Sequence, residues 1–100
     1  MRIAGFDWDD GNREKCQKHG VSCAEIEDMF SRAPAILPDP AHSRDEQRWR
    51  AIGQTVQGRY IFIVFTLRPA DAEVPFLRPI SARHMHEEEI QHYERQQGRS

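Results

Sequence analysis

Arg59-Tyr60-Ile61-Phe62-Ile63-Val64-Phe65-Thr66-Leu67-Arg68 is the stretch on which the fold turns. The residues between its two arginines are all β-branched, aromatic or leucine, and only Tyr60 and Thr66 carry a polar atom. Gly58 precedes the run and Pro69 follows it. Length, composition and these boundaries predict a strand rather than a helix. Both alternating faces are apolar, so both are expected to be covered and the strand to be central in a sheet.

Outward from this strand, the neighbouring segments follow in both directions. Glu46–Thr55 alternates, with Trp49, Ala51 and Gly53 on one face and Arg48, Arg50, Ile52 and Gln54 on the other. The short link Val56-Gln57-Gly58 predicts that it pairs antiparallel with the central strand. Beyond Pro69–Glu73, residues 74–82 form a further strand, with Phe76, Arg78 and Ile80 opposite Leu77, Ser81 and Arg83. Pro75 and Pro79 donate no ladder hydrogen bond, so this strand is expected to be bulged or at an edge. Ala35-Ile36-Leu37, closed by Pro38-Asp39-Pro40, is a short strand before a polar loop over 41–45.

Two helices are expected before the sheet. The first runs from Asp10 to His19, behind an acidic aromatic lead-in, and Gly20 supplies a left-handed end. Ser22 and Glu25 form a capping box for the second, with Val21 and Ile26 as its staple. Ile26, Met29, Phe30 and Ala33 then make one apolar stripe, ended by Pro34. A last helix is expected from Arg83 to Gln97, with Met85, Ile90 and Tyr93 as its only large apolar residues. The chain therefore reads as α+β: two N-terminal helices, a four-stranded antiparallel sheet and a C-terminal helix, in a single domain over residues 1–100.

Composition narrows the function classes. Charged residues make up 30% and hydrophobic ones 38%, which gives a wet domain with a thin core. The longest apolar run, Ile61–Phe65, is far too short to cross a membrane, and the start lacks the pattern of a signal peptide. Two cysteines without a disulfide framework fit a reducing compartment, so a cytoplasmic location is expected. The net charge of −2 argues against a general nucleic-acid binder. Its distribution is uneven: residues 44–83 hold seven arginines against four acids, +3, which leaves −5 on the remainder. A basic middle between acidic ends suits a surface that meets an anion.

No metal or cofactor is expected. Cys16, His19 and Cys23 offer three ligands, but Gly20 breaks the helix between them and no fourth is near; half-buried thiols at a helix corner are the simpler account. His84 and His86 diverge on a helix. There is no glycine-rich phosphate loop and no serine elbow. What remains is arginine on a sheet: Arg48, Arg50, Arg59, Arg68, Arg78 and Arg83 fall on strands or strand ends. Guanidinium binds phosphate oxygens in pairs, and a sheet holds it more rigidly than a loop. Ordinary surface ion pairs with nearby acids are the competing account for each arginine alone.

Several stretches in consistent order resemble the BrnT family of bacterial type II toxins. They are Phe6-Asp7-Trp8-Asp9, Lys18-His19-Gly20-Val21-Ser22, Phe30, Asp39-Pro40 with His42-Ser43, Glu46-Gln47-Arg48-Trp49, Ile52-Gly53, Ile80-Ser81-Ala82-Arg83, and Glu89 to Tyr93-Glu94. Pro79 stands where many members carry an apolar residue. The resemblance implies a RelE-like fold and a metal-independent ribonuclease that blocks translation and growth. It also implies neutralisation by a BrnA-like antitoxin, through which alone the complex would meet operator DNA. On that chemistry Arg48, Arg68 and Arg83 are expected to stabilise transition-state charge, and His19 and Glu46 are candidates for proton transfer. Arg78, Ser81 and Tyr93 are candidates for holding the RNA. The alternative is a catalytically degenerate toxin-family domain that acts only as a protein-binding module.

Overall fold

A computed structural model describes residues 2–98. Its elements run β1 (Gly5–Phe6), α1 (Asp10–Gln17), α2 (Cys23–Ser31), β2 (Ala35–Pro38), a 3-10 turn (Pro40–His42), β3 (Trp49–Gln54), β4 (Tyr60–Arg68), β5 (Phe76–His84) and α3 (Glu87–Gln97). The class is α+β, as expected. The sheet differs from the expected four antiparallel strands: it is five-stranded and mixed, in the order β1-β5-β4-β3-β2. The added strand is β1, which pairs parallel with β5 through Gly5↔Phe76 and Phe6↔Leu77. Two residues are too few to show any periodicity, so β1 exists only through its partner.

The apolar run forms the middle strand. β4 pairs antiparallel with β3 from Trp49↔Phe65 to Gln54↔Tyr60, and with β5 from Ile61↔His84 to Arg68↔Phe76. Register shifts between Val64 and Phe65, which face Ser81 and Pro79, so Ile80 is the extra residue of a bulge. The proline therefore produces the expected bulge, but β5 is an interior strand rather than an edge. The carbonyl of Pro79 is taken by Asn12 of α1, whose Nδ2 donates to it at 2.8 Å.

Alternation sorts the sheet into two faces. Ala51 of β3, Ile61, Ile63 and Phe65 of β4, and Leu77 and Ala82 of β5 form the core with Cys16 of α1, Val21, and Ile26 and Met29 of α2. Phe30 of α2 meets Phe65 edge-on, with ring centres 5.2 Å apart. The two helices thus lie on one face of the sheet, held by caps of the expected kind. Asp9 caps α1 by accepting from the Asn12 amide at 2.9 Å. In α2, Ser22 Oγ accepts from the Glu25 amide at 3.1 Å, and Glu25 Oε1 accepts from the Ser22 amide at 2.9 Å.

Helix α1 ends at Gln17 rather than His19, and Gly20 adopts the left-handed conformation at φ +86°. Helix α3 begins at Glu87, not Arg83, because β5 continues through Arg83 and His84 against Phe62 and Ile61. None of its residues is fully buried, in keeping with its sparse apolar content. The strand expected from Glu46 begins at Trp49: the Asp39 amide reaches the Arg48 carbonyl, and Ser43 Oγ accepts from the Arg48 amide at 2.8 Å, which holds residues 43–48 in a loop.

Candidate functional site

The face of the sheet away from α1 and α2 carries the arginines. Paired residues share a face, so the rung Arg50↔Val64↔Ser81 lies beside the rung Ile52↔Phe62↔Arg83. Thr66 and Arg78 form the rung on the other side, and Arg68↔Phe76 the one after. Arg48 precedes β3 by one residue and extends the same alternation. Successive rungs on one face are roughly 7 Å apart. The arrangement is a strip from Arg68 and Arg48, through Arg50 and Ser81, to Arg83. Val64 and Thr66 beneath it are buried, an expected effect of arginine stems lying along apolar surface.

Glu46 joins the first two arginines. Arg68 Nη2 donates to both its oxygens, at 3.2 and 3.1 Å, and Arg48 Nη2 approaches one of them at 3.4 Å. Burial pushes the Glu46 carboxyl up, but hydrogen bonds and charge from Arg68 and Arg48 outweigh it and hold the group below the usual carboxylate range. At the far end, Arg83 donates to Glu89 of α3 through Nη1 and Nη2, each at 2.8 Å, and its guanidinium lies 4.8 Å from the centre of the Phe62 ring. Hydrogen bonds from Arg83, then from the His86 amide, pull Glu89 down to about 2.

The other expected site residues fall at the margins. Arg78 Nη2 donates to Asp9 at 2.8 Å, and Nη1 stands 3.6 Å from Asp7, which ties it to the lead-in of α1. Ser81 is half-buried in the middle of the strip. Tyr93 of α3 packs edge-on against Tyr60, 5.9 Å between ring centres, and Tyr60 donates to Glu94 at 3.1 Å. His19 is exposed in the turn between α1 and α2, within the helical layer. The structure therefore brings Arg48, Arg68, Glu46, Ser81 and Arg83 onto one face, and leaves His19 with the other.

Two features of this face depend on burial that the sequence does not display. Arg50 has a buried Nε without a hydrogen-bond partner, as has Arg48. Its alternation with Arg48 was the signal that it belongs to the same surface. The second is a cleft of about 390 Å³ lined by His42, Arg44, Asp45, Glu46, Arg48 and Arg68. His42 Nδ1 is 2.7 Å from Oδ2 of Asp39, whose residue is only 3% exposed. The i,i+3 spacing of Asp39 and His42 is visible in the sequence, but the burial of the carboxylate is not.

Among the described residues no group of three or more His, Cys, Asp or Glu side chains has the geometry to hold a metal ion. No helix among them is long and apolar enough to cross a membrane. Chemically, the strip presents fixed cations to an anion about as long as two or three rungs, with a carboxylate and an imidazole beside it. A family model described as "Ribonuclease toxin, BrnT, of type II toxin-antitoxin system" matches residues 8–89. Among curated proteins no match is found. The match spans most of the chain, and the chain belongs to the BrnT family of ribonuclease toxins.

Proposed function

We propose that this BrnT-family chain is an endoribonuclease toxin whose RNA site is the arginine strip of the sheet. The observation that carries this is the convergence of Arg48, Arg50, Arg68 and Arg83 with Ser81 on the face that α1 and α2 leave uncovered. RNA holds its own nucleophile. Its 2′-oxygen attacks the adjacent phosphorus, the bond to the 5′-oxygen breaks, and a 2′,3′-cyclic phosphate and a 5′-hydroxyl result. The protein needs to align the phosphate, stabilise the added negative charge and move a proton. None of these tasks requires a metal.

Arg48, Arg68 and Arg83 supply charge, with Arg50 between them. Ser81 donates to a phosphate oxygen from the middle of the strip. Arg78 and Tyr93 flank the path of the RNA, Arg78 by charge and Tyr93 by stacking. Glu46 is a weak base while Arg68 and Arg48 hold its carboxyl low; its main effect is to fix the two guanidinium groups. The order of elements, two helices before an antiparallel run of β2 to β5 and a C-terminal helix, supports the RelE-like assignment. Cleavage of cellular RNA would stop translation and growth in the cytoplasm, and a BrnA-like antitoxin carrying acidic residues would neutralise the toxin by covering the strip.

Purified protein incubated with labelled single-stranded RNA in the presence of EDTA tests this. Cleavage to cyclic-phosphate ends is expected, and Arg48→Ala should slow it by about 10²–10³-fold, the typical loss on removing one group that stabilises transition-state charge. Absence of cleavage by folded wild-type protein, with tight binding of an acidic antitoxin peptide to the same face, would favour the protein-binding module instead. That second account draws on the ion pairs Arg83 and Arg68 already make with carboxylates.

A further inference from the structure

The arginine strip lacks a good proton acceptor, and the cleft at its end contains one. We infer that His42, oriented by the buried Asp39, is the general base that takes the 2′-hydroxyl proton. The inference rests on the ribonuclease reading above and adds to it the residue that moves the proton.

The loop is built to hold this pair. The Asp39 amide donates to the Arg48 carbonyl at 3.0 Å, and Ser43 Oγ donates to the Asp39 carbonyl at 2.8 Å. Thr66 Oγ1 of β4 donates to the Gln47 carbonyl at 2.8 Å, which ties the loop's return to the central strand. The Asp39 side chain is 4% exposed, and His42 is its one side-chain hydrogen-bond partner among the described residues. A buried carboxylate demands such a partner. The His42 side chain is 56% exposed. With Nδ1 committed to Asp39, Nε2 is the ring atom left to the cleft lined by Arg44, Glu46, Arg48 and Arg68.

This is the division of labour that proton transfer by imidazole requires. A carboxylate fixes the tautomer with Nδ1 protonated and stabilises the imidazolium once Nε2 has accepted a proton. Imidazole is also the side chain that exchanges a proton near neutral pH. In the step, the O2′–H proton goes to Nε2 as the O2′–P bond forms. The P–O5′ bond breaks, and the departing 5′-oxygen, held by arginine, takes a proton from water. His42 then returns its proton to solvent. Asp39 touches no reacting atom and is a positioning residue.

The test uses the full-length protein, a labelled single-stranded RNA, and a 2′-deoxy oligonucleotide that binds without being cut. His42→Ala is expected to lower the cleavage rate constant by about 10²–10⁴-fold, the usual range for a lost general base, with binding of the 2′-deoxy oligonucleotide unchanged. The rise of rate with pH expected of wild type should vanish in the variant. The other titratable or charged groups facing His42 are Asp39, Arg44, Asp45, Glu46, Arg48 and Arg68. His42→Asn keeps a donor for Asp39 but no proton acceptor, so it carries the test if the alanine variant fails to fold. Free imidazole should restore part of the rate to His42→Gly. Undiminished cleavage by folded His42 variants overturns the inference and leaves the ribonuclease intact. Loss of rate with the wild-type pH profile retained makes His42 a loop clamp and also overturns it. No cleavage by wild type overturns the ribonuclease reading and this inference with it.

Discussion

Arg83 of β5 and Glu89 of α3 meet side by side, through two hydrogen bonds of 2.8 Å each. This bidentate pair, the Tyr60–Tyr93 contact and the hydrogen bond from Tyr60 to Glu94 help fasten the C-terminal helix to the sheet. Glu89 also accepts from the His86 amide at 2.8 Å, so one carboxylate both tethers α3 and starts it.

The tether has a defined acid limit. The ordinary value for Glu89 is 4.5, and the hydrogen bonds from Arg83 lower it to about 2 in the folded chain. A depressed carboxyl stabilises the fold above its unfolded value and loses that contribution as pH falls through the folded one. The contribution of Glu89 to the attachment of α3 should therefore be fully present above pH 4.5 and lost progressively toward pH 2. Carboxyl NMR titration of Glu89 should give a midpoint near 2, and Arg83→Ala should return it toward the ordinary value.

The two thiols should react at different rates. Cys16 is fully buried, and burial, with a smaller effect from Cys23, raises its pKa to about 11. At pH 8 about one molecule in a thousand would carry the Cys16 thiolate, which is the reactive form. Cys23 is half-exposed at the start of α2. Alkylation at pH 8 followed by peptide mass analysis should label Cys23 first, with Cys16 labelled only on unfolding.

Gly53 is a packing constraint between β3 and α2. A Cβ there would lie 2.7 Å from Met29 Cγ, 2.9 Å from its Sδ and 3.1 Å from Pro34 Cβ. Met29 is itself buried, so it has little room to withdraw. Gly53→Ala should destabilise the fold by about 1–3 kcal/mol through overpacking, measured by denaturant unfolding.

The sequence carried the parts of this fold that depend on local chemistry. Ser22 and Glu25 announce the start of α2, Gly20 the break before it, and the run from Tyr60 to Leu67 the middle strand. The alternation of Arg48, Arg50 and Ile52 likewise placed the arginines on one face. What it concealed depends on distant partners. Gly5–Phe6 is a strand only because Phe76 and Leu77 lie beside it. Arg83 and His84 extend β5 because Phe62 and Ile61 hold them. Asp39 and His42 look like ordinary turn residues until the loop from Ser43 to Arg48 folds back on Asp39, whose carboxylate is buried. His19, a candidate by chemistry alone, sits exposed in the turn between α1 and α2.

The most direct test of the arginine strip as a ribonuclease site is induced expression in a bacterial host, comparing wild type with an Arg48→Ala/Arg83→Ala double variant of equal solubility. Growth and total RNA integrity are the readouts. Arrest with RNA loss in wild type, and neither in the double variant, is the predicted result. Arrest and RNA loss by both proteins would contradict the account, because the cleavage would then not depend on this face of the sheet.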